Sequence, residues 1–347
     1  MTKKQNLTPV EFINQIPKAE LHIHIEGSFE PELMFEIAQR NNIALKFKSV
    51  EELRKAYNFS NLQDFLDIYY QGAKVLINKR DFYDLTMAYF IKIQSQNVLH
   101  TEIFFDPQTH TSRGIAFKTV VNGIYDAMKD AKTKFGISSK LILCFLRHLN
   151  EEDAIKTFKE SLPYKHLITG YGLDSSEVGN PPSKFKNVFA EVKKAGFKIV
   201  AHAGEEGPAQ YIKEAIDLLK IDRIDHGNTL LNDNILINEI VDKQIPLTLC
   251  PLSNLKLAVI DEMKKQPVKK MLCKNILATI NSDDPAYFGG YLTENYLAVY
   301  NALNLSSDDI YKLAYNSFIS SFTNNDDKNI FIDKLNKFKD NNIIIVN

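Results

Sequence analysis

The chain has 347 residues, 44% of them hydrophobic and 24% charged, the balance of a globular protein long enough to bury one large core or two smaller ones. With 42 basic and 43 acidic residues the formal net charge is −1, so nothing draws it to nucleic acid or to an anionic membrane. No stretch approaches a membrane span, residues 1–20 hold no signal-like apolar run, and the three widely spaced cysteines (Cys144, Cys250, Cys273) argue for a reducing, cytoplasmic compartment over a disulfide framework. Cys144 and Cys250 lie in apolar runs and are expected to be buried thiols.

After a lead-in with a helical turn or two from Pro9, residues 19–25 alternate: Leu21, Ile23 and Ile25 interleave with His22, His24 and Glu26. Period two predicts a strand whose polar side chains leave one face together, and two imidazoles at i and i+2 reach one metal ion. The competing reading of that stretch alone is a half-exposed strand with two surface histidines. Gly27 ends the strand, and Ser28 is expected to cap a helix with Pro31 in its first turn. From about residue 30 to 97 the apolar spacing is helical: Phe65, Leu66, Tyr69 and Tyr70 share one face, Phe82, Leu85, Tyr89 and Phe90 another. Most of these aromatics are expected in helix cores, some in the roof of a pocket. Strands follow at 98–105, 141–147, 167–173, 198–203, 223–225, 246–250 and 276–280. Helices are expected at 117–134, 151–161, 183–195, 211–219 and 233–243, with shorter helical turns over 262–270. From 294 to about 314 and from 326 to 338 the pattern is helical again.

Eight strands, mostly continuous apolar runs, each followed by helix, predict one (β/α)8 TIM barrel over residues 1–347, with a helical insertion after strand one and C-terminal helices. An open doubly wound sheet is the alternative, and no Gly-x-Gly-x-x-Gly follows any strand to support it. Polar residues recur where each strand stops: His22, His24, Glu26, Asp106, Arg147, Asp174, Glu177, His202, Glu205, His226, Asn254, Asp283 and Asp284. In a barrel those stops share one rim, where such folds keep their chemistry. His22, His24, His202 and Asp283 suit a single Zn²⁺ with one position left for water. Glu205 is placed to reach that water or a substrate nitrogen, His226 to orient the water or take its proton, and Asp284 to face the substrate. His100 starts a strand and belongs at the opposite rim, while His110 and His166 fall in connections.

His-Ile-His-Ile-Glu-Gly-Ser, His-Ala-Gly-Glu, Asp-His-Gly and Asn-Ser-Asp-Asp-Pro, in this order, resemble the adenosine and adenine deaminase family of metal-dependent hydrolases over residues 17–291. The resemblance implies a zinc barrel that hydrolytically removes the purine 6-amino group. It makes His22, His24, His202 and Asp283 the zinc ligands, Glu205 the proton donor to purine N1, His226 the helper of the attacking water and Asp284 a contact at N7. Gly172-Leu-Asp-Ser-Ser-Glu-Val-Gly and Cys250-Pro-Leu-Ser-Asn-Leu-Lys-Leu lean toward the adenine branch. That implies adenine as substrate, in purine salvage; adenosine or an N6-substituted adenine, and a non-catalytic purine- or metal-binding barrel, are the alternatives. Adenosine deaminases typically carry Asp where this chain has Glu26, so Glu26 is expected at the pocket wall, crowding a ribose. Glu177 is a further candidate substrate contact. Asn180 beside it departs from the His expected in the adenine branch.

Overall fold

The computed structural model describes residues 4–59 and 61–344. Eight parallel strands follow one another around a ring in chain order: β1 (Lys18–His24), β2 (Val98–Phe105), β3 (Ser138–Leu146), β4 (Gly170–Asp174), β5 (Lys198–Ala203), β6 (Arg223–His226), β7 (Leu247–Leu249) and β8 (Ala278–Ile280). The ring closes through one bridge between Ile23 and Asp283: the His24 N–H donates to Asp283 O at 3.0 Å, and the Asp283 N–H donates to His22 O at 3.1 Å. The predicted (β/α)8 barrel is therefore the observed architecture.

Inside the ring the side chains stack from one end to the other. At the N-terminal end Arg223 of β6 meets Glu102 of β2, strands that are not neighbours, so their ion pair crosses the barrel interior. The Phe322 backbone N–H also donates to Glu102, and its ring lies 4.6 Å from the Arg223 guanidinium, closing that end. Phe104, Ile142, Cys144 and Val200 form a small apolar cluster of their own. A second, much larger core fills the space between strands and helices.

Four helices lie between β1 and β2 and, with α1 (Pro9–Gln15), are labelled in order: α2 (Pro31–Arg40), α3 (Val50–Ala56), α4 (Leu62–Ala73) and α5 (Lys79–Gln94). They are the expected insertion. Phe82, Leu85, Tyr89 and Phe90 of α5 are wholly buried core, whereas Phe65, Tyr69 and Tyr70 of α4 roof a cavity at the C-terminal rim.

Local expectations fail in instructive places. Ser28 caps nothing: its hydroxyl donates to Ile25 O at 2.7 Å inside a turn over Glu26–Ser28, and Glu30 precedes α2 without a side-chain cap. Thr8 supplies a full capping box with Glu11 at α1 instead. β4 begins at Gly170, not 167, because Leu167 and Ile168 finish the preceding turn by bonding back to Tyr164 and Lys165. The helical pattern over 294–314 is two helices, Leu292–Leu303 and Ser307–Ile319, broken where Asn304 takes φ +49°. A short parallel pairing of Gln5–Leu7 with Asn342–Ile344 has no counterpart in the expectations.

Candidate metal and active site

His22 and His24 lie at the end of β1, His202 is the next-to-last residue of β5, and Asp283 follows β8; one donor atom from each lies within 4.8 Å of all the others. The protonation of His22 follows from its neighbours. Thr248 Oγ1 donates to Asp225 Oδ1 at 2.9 Å, so at 2.9 Å from His22 Nδ1 it must accept. The proton is on Nδ1, and the Nε2 lone pair faces Asp283 Oδ1 at 3.1 Å. Burial pushes the His22 pKa down to about 4, so the ring is neutral near pH 7. Two acceptors at that separation repel unless a cation lies with them. The other imidazoles repeat the pattern: His24 Nδ1 is 3.5 Å from Asp174 Oδ2, His202 Nδ1 is 3.9 Å from Asp225 Oδ2, and their Nε2 atoms meet at 3.2 Å. Carboxylates behind imidazoles whose outer nitrogens converge are the usual support of a metal centre, and the donor set fits one.

Around this centre lies a narrow cavity at the C-terminal rim. Glu205, His226, Asp284, Asp106, Asp174 and Ser175 line it together with His24, His202 and Asp283, and its apolar wall is Leu62, Phe65, Leu66, Tyr69, Tyr70, Leu257 and Phe288. His226 Nε2 stands 3.6 Å from Glu205 Oε1 and 3.7 Å from Asp283 Oδ2. Burial, then the Asp283 charge, hold the Glu205 carboxyl well above the usual range. Burial and Asp283 do the same to Asp284. Burial holds His226 down at about 4, leaving a neutral imidazole able to accept a proton. Both His226 and Asp283 sit at positive φ, +66° and +62°, a conformation that costs non-glycine residues about 1–3 kcal/mol and clusters at functional sites.

Two candidate substrate contacts do not face the cavity. β1 stops at His24, Ile25 turns helical, and the turn over Glu26–Ser28 swings the Glu26 carboxylate away from the face it would share on a longer strand. Gly27 permits the turn, since a Cβ there would lie 1.9 Å from Asp284 Oδ1. Glu26 Oε1 instead accepts from His110 Nε2 at 2.9 Å and from the Asp106 backbone N–H at 3.4 Å. Glu177 is wholly buried and accepts the backbone N–H of Gly204 (2.7 Å), Glu206 (2.9 Å) and Gly207 (2.8 Å). It therefore moors the loop that carries Glu205. Asn180 faces its own loop as well: its amide donates to Ser176 O at 3.0 Å and its Oδ1 accepts from Lys184 at 2.9 Å. Arg147 braces this region, donating to His202 O at 2.7 Å and twice to Asn180 O. Asn254 joins Asn228 and Gln266 in a chain of amides.

Sequence reasoning missed Asp225, Thr248 and His110. Asp225 stands next to His226, and alternation along β6 turns it toward His22 and Thr248; that parity was the available signal. Thr248 sits unremarkably inside an apolar run. His110 is buried in the short helix after β2 and accepts from Arg113 at 2.9 Å on Nδ1, which leaves Nε2 to donate to Glu26.

The family model described as adenosine deaminase matches residues 17–338. The chain is 58% identical over 327 residues to an adenine deaminase of Acinetobacter baylyi, covering 94% of this chain and 98% of that protein. It is 57% identical over 318 residues to an adenine deaminase of Wolinella succinogenes, covering 92% and 96%. Among solved structures, the adenine deaminase from Arthrobacter aurescens superposes with a TM-score of 0.92 at 44% identity, over 94% of this chain and 99% of that one.

Proposed function

We propose a function from one premise: the chain belongs to the adenosine deaminase family. It is an adenine aminohydrolase, converting adenine and water to hypoxanthine and ammonia with one Zn²⁺ held by His22, His24, His202 and Asp283. A bound zinc supplies Lewis acidity that lowers the pKa of a coordinated water toward about 7. The protein residues do the rest. The protonated Glu205 carboxyl donates to purine N1, which draws electrons from C6. His226, neutral, accepts the proton that the attacking water sheds as its oxygen bonds to C6. Asp284, held protonated, donates to N7. The His226 imidazolium then gives the water's proton to the 6-amino group, which leaves as ammonia, while the C6 hydroxyl becomes the carbonyl and its proton restores the Glu205 carboxyl. The apolar wall supplied by α4 packs on the purine faces and excludes bulk water.

The observation that carries this reading is the convergence of a buried carboxyl, Glu205, and a buried imidazole, His226, 3.6 Å apart, beside four converging metal donors. Relatives named adenine deaminases at 58% and 57% identity support adenine over the nucleoside. The test is kcat/KM for adenine, adenosine and N6-alkyl adenines measured in parallel. Adenine is expected to be the preferred substrate. A preference for adenosine, or ammonia release from none of them by the zinc-loaded protein, overturns the assignment.

A further inference from the structure

The reaction leaves two buried acids of the cavity without a task. Asp106, just after β2, and Asp174, at the end of β4, are 3% and 2% exposed, and both line the cavity. Asp106 Oδ2 accepts from the Tyr69 hydroxyl of α4 at 3.0 Å; the Asp106 and Asp174 carboxyls lie close enough to share a proton, and beyond that pairing neither Oδ1 has a donor from the protein. A buried acceptor left unpaired is destabilising, and a ligand that brings the donor removes that cost. The position of these acids says which part of a ligand they meet. The metal donors come from β1, β5 and β8, and Glu205, His226 and Asp284 follow β5, β6 and β8. In a ring ordered one to eight, β2, which ends at Asp106, stands across from β6, while β4 adjoins β5. A purine with C6 at the reacting centre offers N1 and N7 to its flanks and turns N3 and N9 to the far side, at β2. There the free base carries an N–H, and a nucleoside carries its sugar.

We propose that Asp106 determines specificity at this site: its Oδ1 accepts the N9–H of the free base. The proposal rests on the adenine aminohydrolase reading and adds what rejects the nucleoside. An N9 substituent removes the donor and sets a carbon against a buried carboxylate, so exclusion comes from an unpaired acceptor as well as from bulk. Tyr69 fixes one oxygen of Asp106, and Glu26 holds its backbone N–H, which makes Glu26 a positioning residue for Asp106. Asp174, 3.5 Å from His24 Nδ1, orients that imidazole.

The experiment compares wild type with Asp106→Ala, Asp106→Asn and Tyr69→Phe. It measures kcat/KM for adenine and 9-methyladenine, calorimetric binding of hypoxanthine and 9-methylhypoxanthine, and zinc per chain. Asp106→Ala is expected to lower the preference for the N9–H compound by roughly 10- to 100-fold in both turnover and binding, with zinc content unchanged. Asp106→Asn and Tyr69→Phe are expected to move the preference the same way by less, and they carry the test if the alanine variant does not melt cooperatively. An unchanged preference in zinc-replete variants overturns the proposal. So does a second zinc in wild type that Asp106→Ala loses, since the two carboxylates would then belong to a metal. Absence of adenine turnover in wild type would instead remove the underlying reading, a result distinct from an unchanged preference in active variants.

Discussion

The two ends of this barrel are both rich in buried charge and use it in opposite ways. At the N-terminal end the groups are partnered, with Arg223 Nε the exception. Glu102 takes an ion pair from Arg223 and the Phe322 N–H, and Lys18 donates to the carbonyls of Ile13, Asn14, Ile16 and Gln96. At the C-terminal rim, Asp106, Asp174 and His202 each keep a buried polar atom without a protein partner, and His226 keeps two. A buried charge is tolerated when its hydrogen bonds are made, so the closed end is structural. Bonds left unmade at the open end await a cation and a substrate. Counting buried charges would not separate the two ends; counting unmade bonds does.

That contrast can be broken from either side. The largest effect is expected from Glu205→Gln, which removes the donated proton but keeps the shape: kcat should fall roughly 10²–10⁴-fold while zinc content and melting temperature hold. Near-normal turnover would take Glu205 out of the mechanism. At the closed end Glu102→Gln should do the reverse. It leaves the wholly buried Arg223 charge with only Asp225, 3.5 Å from its Nε, and is expected to cost ~3–5 kcal/mol in urea denaturation, with turnover per folded molecule little changed. Its pH signature is fixed in sign. Burial pushes the Glu102 pKa up, but Arg223, His100 and the Phe322 N–H together hold it down at about 2, below its ordinary value of about 4.3. The stability it contributes is therefore present above about pH 4.3 and lost as the pH falls toward 2, a slope that the Gln variant should lack in acid titrations. The smallest effect is expected from Asn180→His. That side chain bonds within its own loop, so kcat/KM for adenine should stay within about twofold. A changed adenine-to-adenosine ratio there would extend the open end into the loop after β4.

The contrast also explains which features were legible in the sequence. Barrel strands such as 98–105 and 198–203 are apolar runs closed by a polar residue, and burial on both faces imposes that pattern. The rim histidines and acids could be read because polar residues interrupt such runs where each strand stops. Glu26 lies off the cavity because alternation holds only while the strand lasts, and β1 stops at His24 before a turn over Glu26–Ser28. Glu177 was misread because a carboxylate at a strand end looks the same whether it meets a ligand or backbone amides; only the course of the 204–207 loop distinguishes them. The tie between Gln5–Leu7 and Asn342–Ile344 has almost no sequence signal, since it pairs the two ends of the chain.

The single bridge between Ile23 and Asp283 has a consequence for how the molecule comes into being. The seam of the cylinder and the cluster of donors are the same few residues: His22, His24 and Asp283 exchange backbone bonds and point side chains to one place. During synthesis His22 and His24 emerge early and wait for more than 250 residues before their fourth companion leaves the ribosome. A nascent chain halted before Asp283 has neither a shut cylinder nor a complete donor set. Shape and reactivity thus arrive together, at the last stitch, and no half-made product can carry out a half-made version of the chemistry.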